Sequence, residues 1–437
     1  MKRRVELIGL WLGCSLALNA AEPWTLGRAL DYALAHNPDA RIARQRIAAA
    51  QAGLEQANST FWPRFQVLSG YTRTDNPMMA FGSILNQRSY SSSLNFNDVP
   101  SVDDLNAQGI VTVPLYAGGR NVAGQRAAKA NTEAAKQESA AVCNELGFEV
   151  SRAFHTVLKT RRFIQAALAA VNSYETNVAV AGKRLEGGTL LKSDVLDMEV
   201  RLAQAREDLV RARNANTLAE RALRNLLGIE GGDFIVANAA PPVSAPPSGD
   251  CSQRPELAAA REHESAAQAQ VRVTKSGYQP RVNAFGSLDY DYGWVNRGDG
   301  KNYTAGVMAQ WDLWDGFLTR SKAREAEAHL ESAREEQRKL RLALDLEVEQ
   351  ARFALKDADE RLAVSGKAVE QAEESASLTR NRFEQGLALA TQLIDCETAL
   401  LAARVRRAEA ESDRRIAIAA LRKALAWPQL DFQTTPK

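Results

Sequence analysis

Three carboxylates, Asp194, Asp197 and Asp395, stand just beyond glycine-marked turns in a chain of 437 residues. Carboxylates so placed could move protons, hold a cation, or line a cation path. Proton transfer needs a nucleophile or base in reach, and metal binding needs a cluster at ligand spacing. The four His (36, 155, 263, 329) and four Cys (14, 143, 251, 396) are dispersed, with no C-x-x-C and no H-E-x-x-H. Nucleophile–base motifs and phosphate loops are likewise missing from the sequence. The sequence therefore predicts no catalytic residue, no metal and no cofactor. For Asp194 and Asp197 it leaves the plain role of favouring the positive end of their helix.

Composition bounds the rest. With 45% apolar and 25% charged residues the chain is core-forming. Lys2, Arg3 and Arg4 against Glu6 account for the whole formal charge of +2, so the remainder is neutral and nucleic acid is not an expected partner. The basic start, the apolar run from Val5 to Leu18 and the small residues Ala20 and Ala21 read as a signal peptide over residues 1–21. Within it W-L-G-C makes Cys14 a candidate for lipidation, although the apolar run continues past it.

The turns that precede the carboxylates occur twice. Shifted by 198 residues, Arg184, Gly188, Leu191, Asp197 and Leu202 fall on Arg382, Gly386, Leu389, Asp395 and Leu400, and Leu115, Gly118 and Arg126 fall on Leu313, Gly316 and Arg324. Upstream the offset becomes 217, carrying Pro38, Gln51 and Pro63 onto Pro255, Gln268 and Pro280. This is an internal duplication. It predicts a first repeat over 22–228, a Pro/Gly/Ala-rich linker over 229–254, a second repeat over 255–427 and a tail over 428–437.

Each repeat has the same order of elements. Ala43, Ile47, Ala50, Leu54 and Ala57 form a helical stripe, and Pro63 and Pro280 end the first helix of each half. The period then changes to two. Val282, Ala284, Leu288, Tyr290, Tyr292 and Trp294 alternate with polar residues, VNRGDGKN reads as a turn, and Tyr303, Ala305, Val307, Ala309, Trp311 and Leu313 share one face of the returning strand. FQVLSGYT and GIVTVPLY repeat the pattern in the first half around a longer Ser/Asn-rich loop at 77–104. Next comes a Pro-free helix from Arg120 to Arg184, a break at Gly187-Gly188, and a helix capped by Ser193 whose seam runs Leu191, Val195, Met198, Leu202, Ala205, Leu209. Thr319 to Arg382 repeats the long helix and turns at Gly386.

Strands of about 11 to 13 residues suit a tilted bilayer crossing. Tyr71, Tyr116, Tyr290, Tyr292, Trp294, Trp311 and Trp314 then mark the membrane interface. Four strands cannot close a barrel, which takes at least about eight, so several chains must share one. A soluble periplasmic coiled-coil scaffold is the alternative if the hairpins pack on each other.

L-Y-A-G-G and L-W-D-G-F leading into long helices, with R-[LF]-x-x-G-x(8)-D at the turns, resemble the TolC-like outer-membrane efflux channel family over nearly the whole chain after the signal peptide. The resemblance implies a mixed α and β membrane protein: a homotrimer with a shared transmembrane β-barrel, four strands per protomer, and a long antiparallel α-helical barrel in the periplasm. It implies an exit duct for small toxic compounds or metal ions, or alternatively for secreted protein, set in outer-membrane lipid and served by a periplasmic adaptor and an inner-membrane transporter. Gly187, Gly188 and Thr189, with Gln385, Gly386 and Leu387, correspond to the adaptor-docking tips. Asp194, Asp197, Gln392 and Asp395 fall at the periplasmic aperture, where the family often has Asp in place of Gln392.

Overall fold

The computed structural model describes residues 23–95, 97–231 and 234–431. The segment read as a signal peptide, with Cys14, lies outside the described residues, as does the chain from 432. Eight α-helices and four strands are described: α1 (Leu26–His36), α2 (Pro38–Ser59), β1 (Arg64–Thr74), α3 (Pro77–Asn86), β2 (Val102–Ala117), α4 (Arg120–Glu186), α5 (Lys192–Leu227), α6 (Pro255–Lys275), β3 (Arg281–Gly293), β4 (Gly298–Gln310), α7 (Leu318–Glu384) and α8 (Ala390–Ala424). They fall into two compact units. One comprises 42–142 with 250–346, the other 1–41, 143–249 and 347–437.

The first unit holds an antiparallel sheet in the order β1-β2-β3-β4. Its register places Val67, Gly109, Leu288 and Tyr303 in one row and Leu68, Gln108, Asp289 and Asn302 in the next. Strand alternation therefore gives the sheet two unlike faces. On one, Phe65, Val67, Leu288, Tyr303 and Val307 are exposed. On the other, the side-chain amides of Asn106 and Asn302 donate to Asp291 at 2.8 and 3.2 Å, and that of Gln108 donates to Asp289 at 2.5 Å. Pro114 has no N–H for a ladder, and β2 accommodates it beyond the reach of β1, whose pairing stops at Thr112, with a bulge at Leu115 on the β3 side.

Three local expectations change here. The segment read as a loop at 77–104 contains α3, whose first turn is capped by Asn76 accepting from the N–H groups of Met78 and Met79, and β2 already begins at Val102. The turn VNRGDGKN is shorter, because β4 starts at Gly298. A Cβ at Gly298 or Gly300 would lie 1.7 Å from Ser89 Oγ or the Asn86 carbonyl, so these glycines let the α3 segment lie against a strand they would otherwise be expected to break. At the other end β4 stops at Gln310, leaving Trp311 and Leu313 beyond the sheet. The strand-to-helix turns are duplicated unequally: Gly118 and Gly119 have φ of +63° and +81°, while the second repeat places Gly316 and Phe317 at +65° and +66°. Phe317, in a region costly for an L side chain, packs edge-on against Trp314 at 4.6 Å.

In the second unit α1 packs into a core with α4 and α5, formed by Leu26, Ala29, Leu30 and Ala33 against Val150, Phe154, Val157, Leu223 and Leu227. The Pro-rich segment is held there. Trp24 N–H donates to the Ile235 carbonyl at 2.7 Å, and Arg422, fully buried, donates to the carbonyls of Ser244 and Pro428 and to Asp431. That contact holds the Asp431 carboxyl down at about 2. The helix after the first turn begins at Lys192 with an extended Leu191 before it, so Ser193 lies inside the first turn and supplies no cap, and Leu191 leaves the seam that Val195, Met198, Ala205 and Leu209 do form.

His155 on α4 is 5% exposed, and burial, assisted by Arg415, lowers its pKa from 6.5 to about 4. Between those values the unfolded chain binds a proton that the folded chain refuses. The neutral ring's contribution is complete above 6.5 and is lost as pH falls toward 4, about 3 kcal/mol per protomer. The melting temperature is expected to fall on acidification from pH 7 to 4.5, with a shallower slope in His155→Gln. Equal slopes in differential scanning calorimetry would contradict this assignment.

Candidate functional site

The two glycine turns are built by the same hydrogen bonds at the 198-residue offset. In the first, the N–H groups of Gly188 and Thr189 donate to the carbonyls of Leu185 and Arg184 at 3.0 and 2.8 Å. In the second, those of Gly386 and Leu387 donate to Phe383 and Arg382 at 3.0 and 2.8 Å. This is the helix-ending arrangement that needs a left-handed residue, and Gly188 and Gly386 have φ of +69° and +81°. Extended Leu191 and Leu389 then start α5 and α8.

The structure brings the turns together. Phe383, Met198, Val195, Leu393 and Ile394 form a buried cluster beneath both. Arg184 crosses from one turn to the other, donating to the Phe383 carbonyl at 2.8 Å and to the Thr189 carbonyl at 3.2 Å, with its guanidinium 4.7 Å from the Phe383 ring. Gly187, Gly188, Thr189, Gln385, Gly386 and Leu387 are all exposed on this surface. So are Leu191, Leu387 and Leu389, at 69, 74 and 67%. In the sequence Leu191 is hidden by its fit to a buried stripe.

Asp194 is half-buried in the first turn of α5, and Asp197, Gln392 and Asp395 are exposed. Gln392 is engaged locally, its side-chain oxygen accepting the Leu389 N–H at 3.3 Å and so capping α8. Above the turns lies a network the sequence did not signal. Arg380 donates to buried Glu397 at 3.1 Å and to Ser173 at 3.2 Å, and the hydroxyls of Tyr174 and Thr398 are 3.1 Å apart. Burial raises the Tyr174 phenol above its ordinary value. Glu199, the counterpart of Glu397, is exposed instead.

The seven aromatics divide between the two ends of the sheet. Tyr71 and Tyr292 pack on Trp294 at 5.7 and 5.1 Å, with Tyr290 one residue pair further along the same face. At the helix-proximal end, Trp311 donates to the Tyr278 carbonyl at 3.1 Å and Trp314 packs on Phe317, with Tyr116 past the bulge of β2. Trp294, Trp311 and Trp314 lie outside the strands in which they were expected, just past the sheet ends. Among the described residues no group of His, Cys, Asp or Glu is placed to hold a metal ion, and no helix is long and apolar enough to cross a membrane.

A family model described as outer membrane efflux protein matches residues 29–229 and 251–426. The chain belongs to this family. It is 25% identical over 335 residues to the protein CyaE of Bordetella pertussis, across 73% of this chain and 66% of that one. Two solved structures share its fold. The outer membrane protein VceC of Vibrio cholerae superposes with a TM-score of 0.79 at 20% identity, covering 92% of this chain and 96% of VceC. The MtrE outer membrane channel of Neisseria gonorrhoeae gives 0.78 at 17% identity, covering 94% and 91%. The chain thus has the family's mixed architecture, helices plus an open four-stranded sheet, and family membership sets aside the soluble scaffold.

If Arg184 ties the turns together, Arg184→Ala should speed amide hydrogen exchange at 183–190 and 382–389 by about tenfold, the loss of a charged hydrogen bond worth roughly 1.5 kcal/mol. Sheet amides should keep their rates. Unchanged turn protection would show the cross-link to be dispensable.

Proposed function

We propose that three copies of this chain close one barrel, β4 of each pairing with β1 of the next, and that the assembly is the passive exit duct of a tripartite efflux system for small toxic compounds or metal ions. The observation that carries this is the sheet itself: a greasy exposed face, an amide–carboxylate ladder on the other face, and an unpaired backbone edge on each outer strand. A strand of 13 residues tilted by about 40° rises roughly 30 Å along a barrel axis, the depth of a hydrocarbon layer. Aromatic groups at both sheet ends suit the two lipid interfaces. The ladder then faces water in the lumen. Tyr71, Tyr290, Tyr292 and Trp294 belong to one girdle in this reading, and Tyr116, Trp311 and Trp314 to the other.

The glycine turns are the surface for a periplasmic adaptor, which links the duct to an inner-membrane transporter. Exposed leucines beside two left-handed glycines make an apolar, closely approachable tip. Asp395, with Asp197 and Asp194, supplies negative charge at the narrow end, while Gln392 serves the helix cap. The division into signal peptide, two repeats, linker and tail follows the duplication.

The purified full-length chain should be a detergent-requiring trimer that forms ion-conducting pores in planar bilayers. A water-soluble monomer would overturn the duct. Gly188→Leu with Gly386→Leu puts side chains at positive φ where Gly188 has open space and Gly386 only the end of Arg184 nearby, so trimers should persist while export falls to the level of a deletion strain. Normal drug or metal tolerance would remove the docking role. Asp395→Ala should raise single-channel conductance and weaken cation preference, and an unaltered current would return Asp395 to the helix surface.

A further inference from the structure

Away from the turns, the unit formed by 1–41, 143–249 and 347–437 contains a cavity of about 250 Å³ between α4, the Pro-rich segment and α8. Lys159, Arg161, Arg162 and Arg415 line it, with Glu411 as its one carboxylate. Two of these cations are already matched. Arg161 donates to Glu220 at 2.9 Å and to the Val236 carbonyl at 2.7 Å, and Arg162 lies 3.7 Å from Glu411, which Arg407 also contacts at 3.3 Å. Among the described residues, Lys159 and Arg415 have neither an ion pair nor a hydrogen-bond partner. The cavity therefore carries two uncompensated positive charges.

A second, independent observation concerns its wall. His155 lines the cavity and is more than nine-tenths buried, at 5% exposure, yet Nδ1 has no hydrogen-bond partner. Buried polar atoms are rarely left so, and such an orphan offers a hydrogen bond to a ligand or water in this cavity or in the adjoining recess that His155 also lines. Water could satisfy the ring, but an anion would also draw on half-buried Lys159 and exposed Arg415 at the mouth of a recess flanked by Leu158, Ala239 and Ala408. An oxyanion answers both needs at once, taking a hydrogen bond from His155 in its Nδ1–H tautomer and charge-assisted bonds from the two cations. Size narrows the class, because drug-sized ligands occupy pockets from about 300 Å³ upward. Gln165 and Asn238 on the rim offer further amide donors.

We infer that this cavity is a binding site for a small dianionic oxyanion, held by Lys159, Arg415 and His155. Neither catalysis nor conduction is required of it. Binding joins α4 to α8 through the bound anion and stabilises the folded chain by linkage. The site is independent of the duct reading, since bilayer conductance and anion binding are measured separately on the same preparation.

The test is isothermal titration calorimetry of the full-length protein in detergent at pH 7.5 and fixed ionic strength, first with inorganic phosphate and then with succinate. Saturable binding near one per protomer is expected for at least one of them, and the tighter probe tells a tetrahedral oxyanion from a dicarboxylate. Lys159→Gln and Arg415→Gln should each weaken binding by tenfold or more. Lys159→Arg should retain it, and the distant Lys356→Ala should leave it unchanged. Because both cations are at least partly exposed, circular dichroism melts of the Gln variants should show them folded. Binding of neither probe, binding indifferent to both Gln variants, or equal displacement by chloride at the same ionic strength would overturn the proposal.

Discussion

Backbone hydrogen bonding without water is the constraint on which this molecule depends. In hydrocarbon an unpaired N–H or C=O costs several kcal/mol, and the outer edges of β1 and β4 present rows of them, interrupted on β4 where Arg88 donates to the Lys301 carbonyl at 3.1 Å. No rearrangement within one chain removes both rows, because four strands are too few to curl shut. The same sheet displays apolar side chains outward and amide–carboxylate pairs on the reverse, so its faces demand two different solvents. Lipid outside, water inside and identical neighbours at both edges satisfy all of these demands together. In the trimeric duct proposed above, assembly is thereby a condition of folding in the membrane.

Duplication gave the chain two copies of one design, and the structure shows where they diverged. The hydrogen bonds of the two glycine turns are superimposable in sequence, yet Arg184 bridges the turns while its counterpart Arg382 is exposed. Glu397 is buried against Arg380, whereas Glu199 faces solvent. Phe317 stands where the first repeat has Gly119, and the left-handed backbone is present at both despite its cost to Phe. Backbone geometry was thus conserved between the repeats more strictly than side-chain use. That is the expected order when both copies must pack side by side but only one needs each lock.

Much of the architecture was legible because it rests on period and punctuation. Val282 to Tyr292 alternate at every position but Phe285, and the long helices lack proline, so β3, α4 and α7 stand almost where the residues place them. The errors came where a tertiary neighbour decided. Gly298 and Gly300 look like turn residues until the α3 segment is laid against them. Leu191 fits a seam by spacing but is pre-empted by the helix start, and Gln392 reads as a lost carboxylate although its side chain caps α8. Of the candidate site, the glycine turns could be found by their repetition. Arg184, Arg380 and His155 could not, because nothing local distinguishes a bridging or buried side chain from a solvated one.

Helices α4 and α7 each contain 67 residues. An α-helix advances 1.5 Å and rotates about 100° with every residue, so one inserted amino acid would swing every later contact, including Arg184 or Phe383, off its target. These two rods therefore act as matched rulers on which the spelling is negotiable but the count is fixed. A change of length is absorbed more readily in a loop such as the Pro-rich join between repeats, which lies outside the helical register of the two rods.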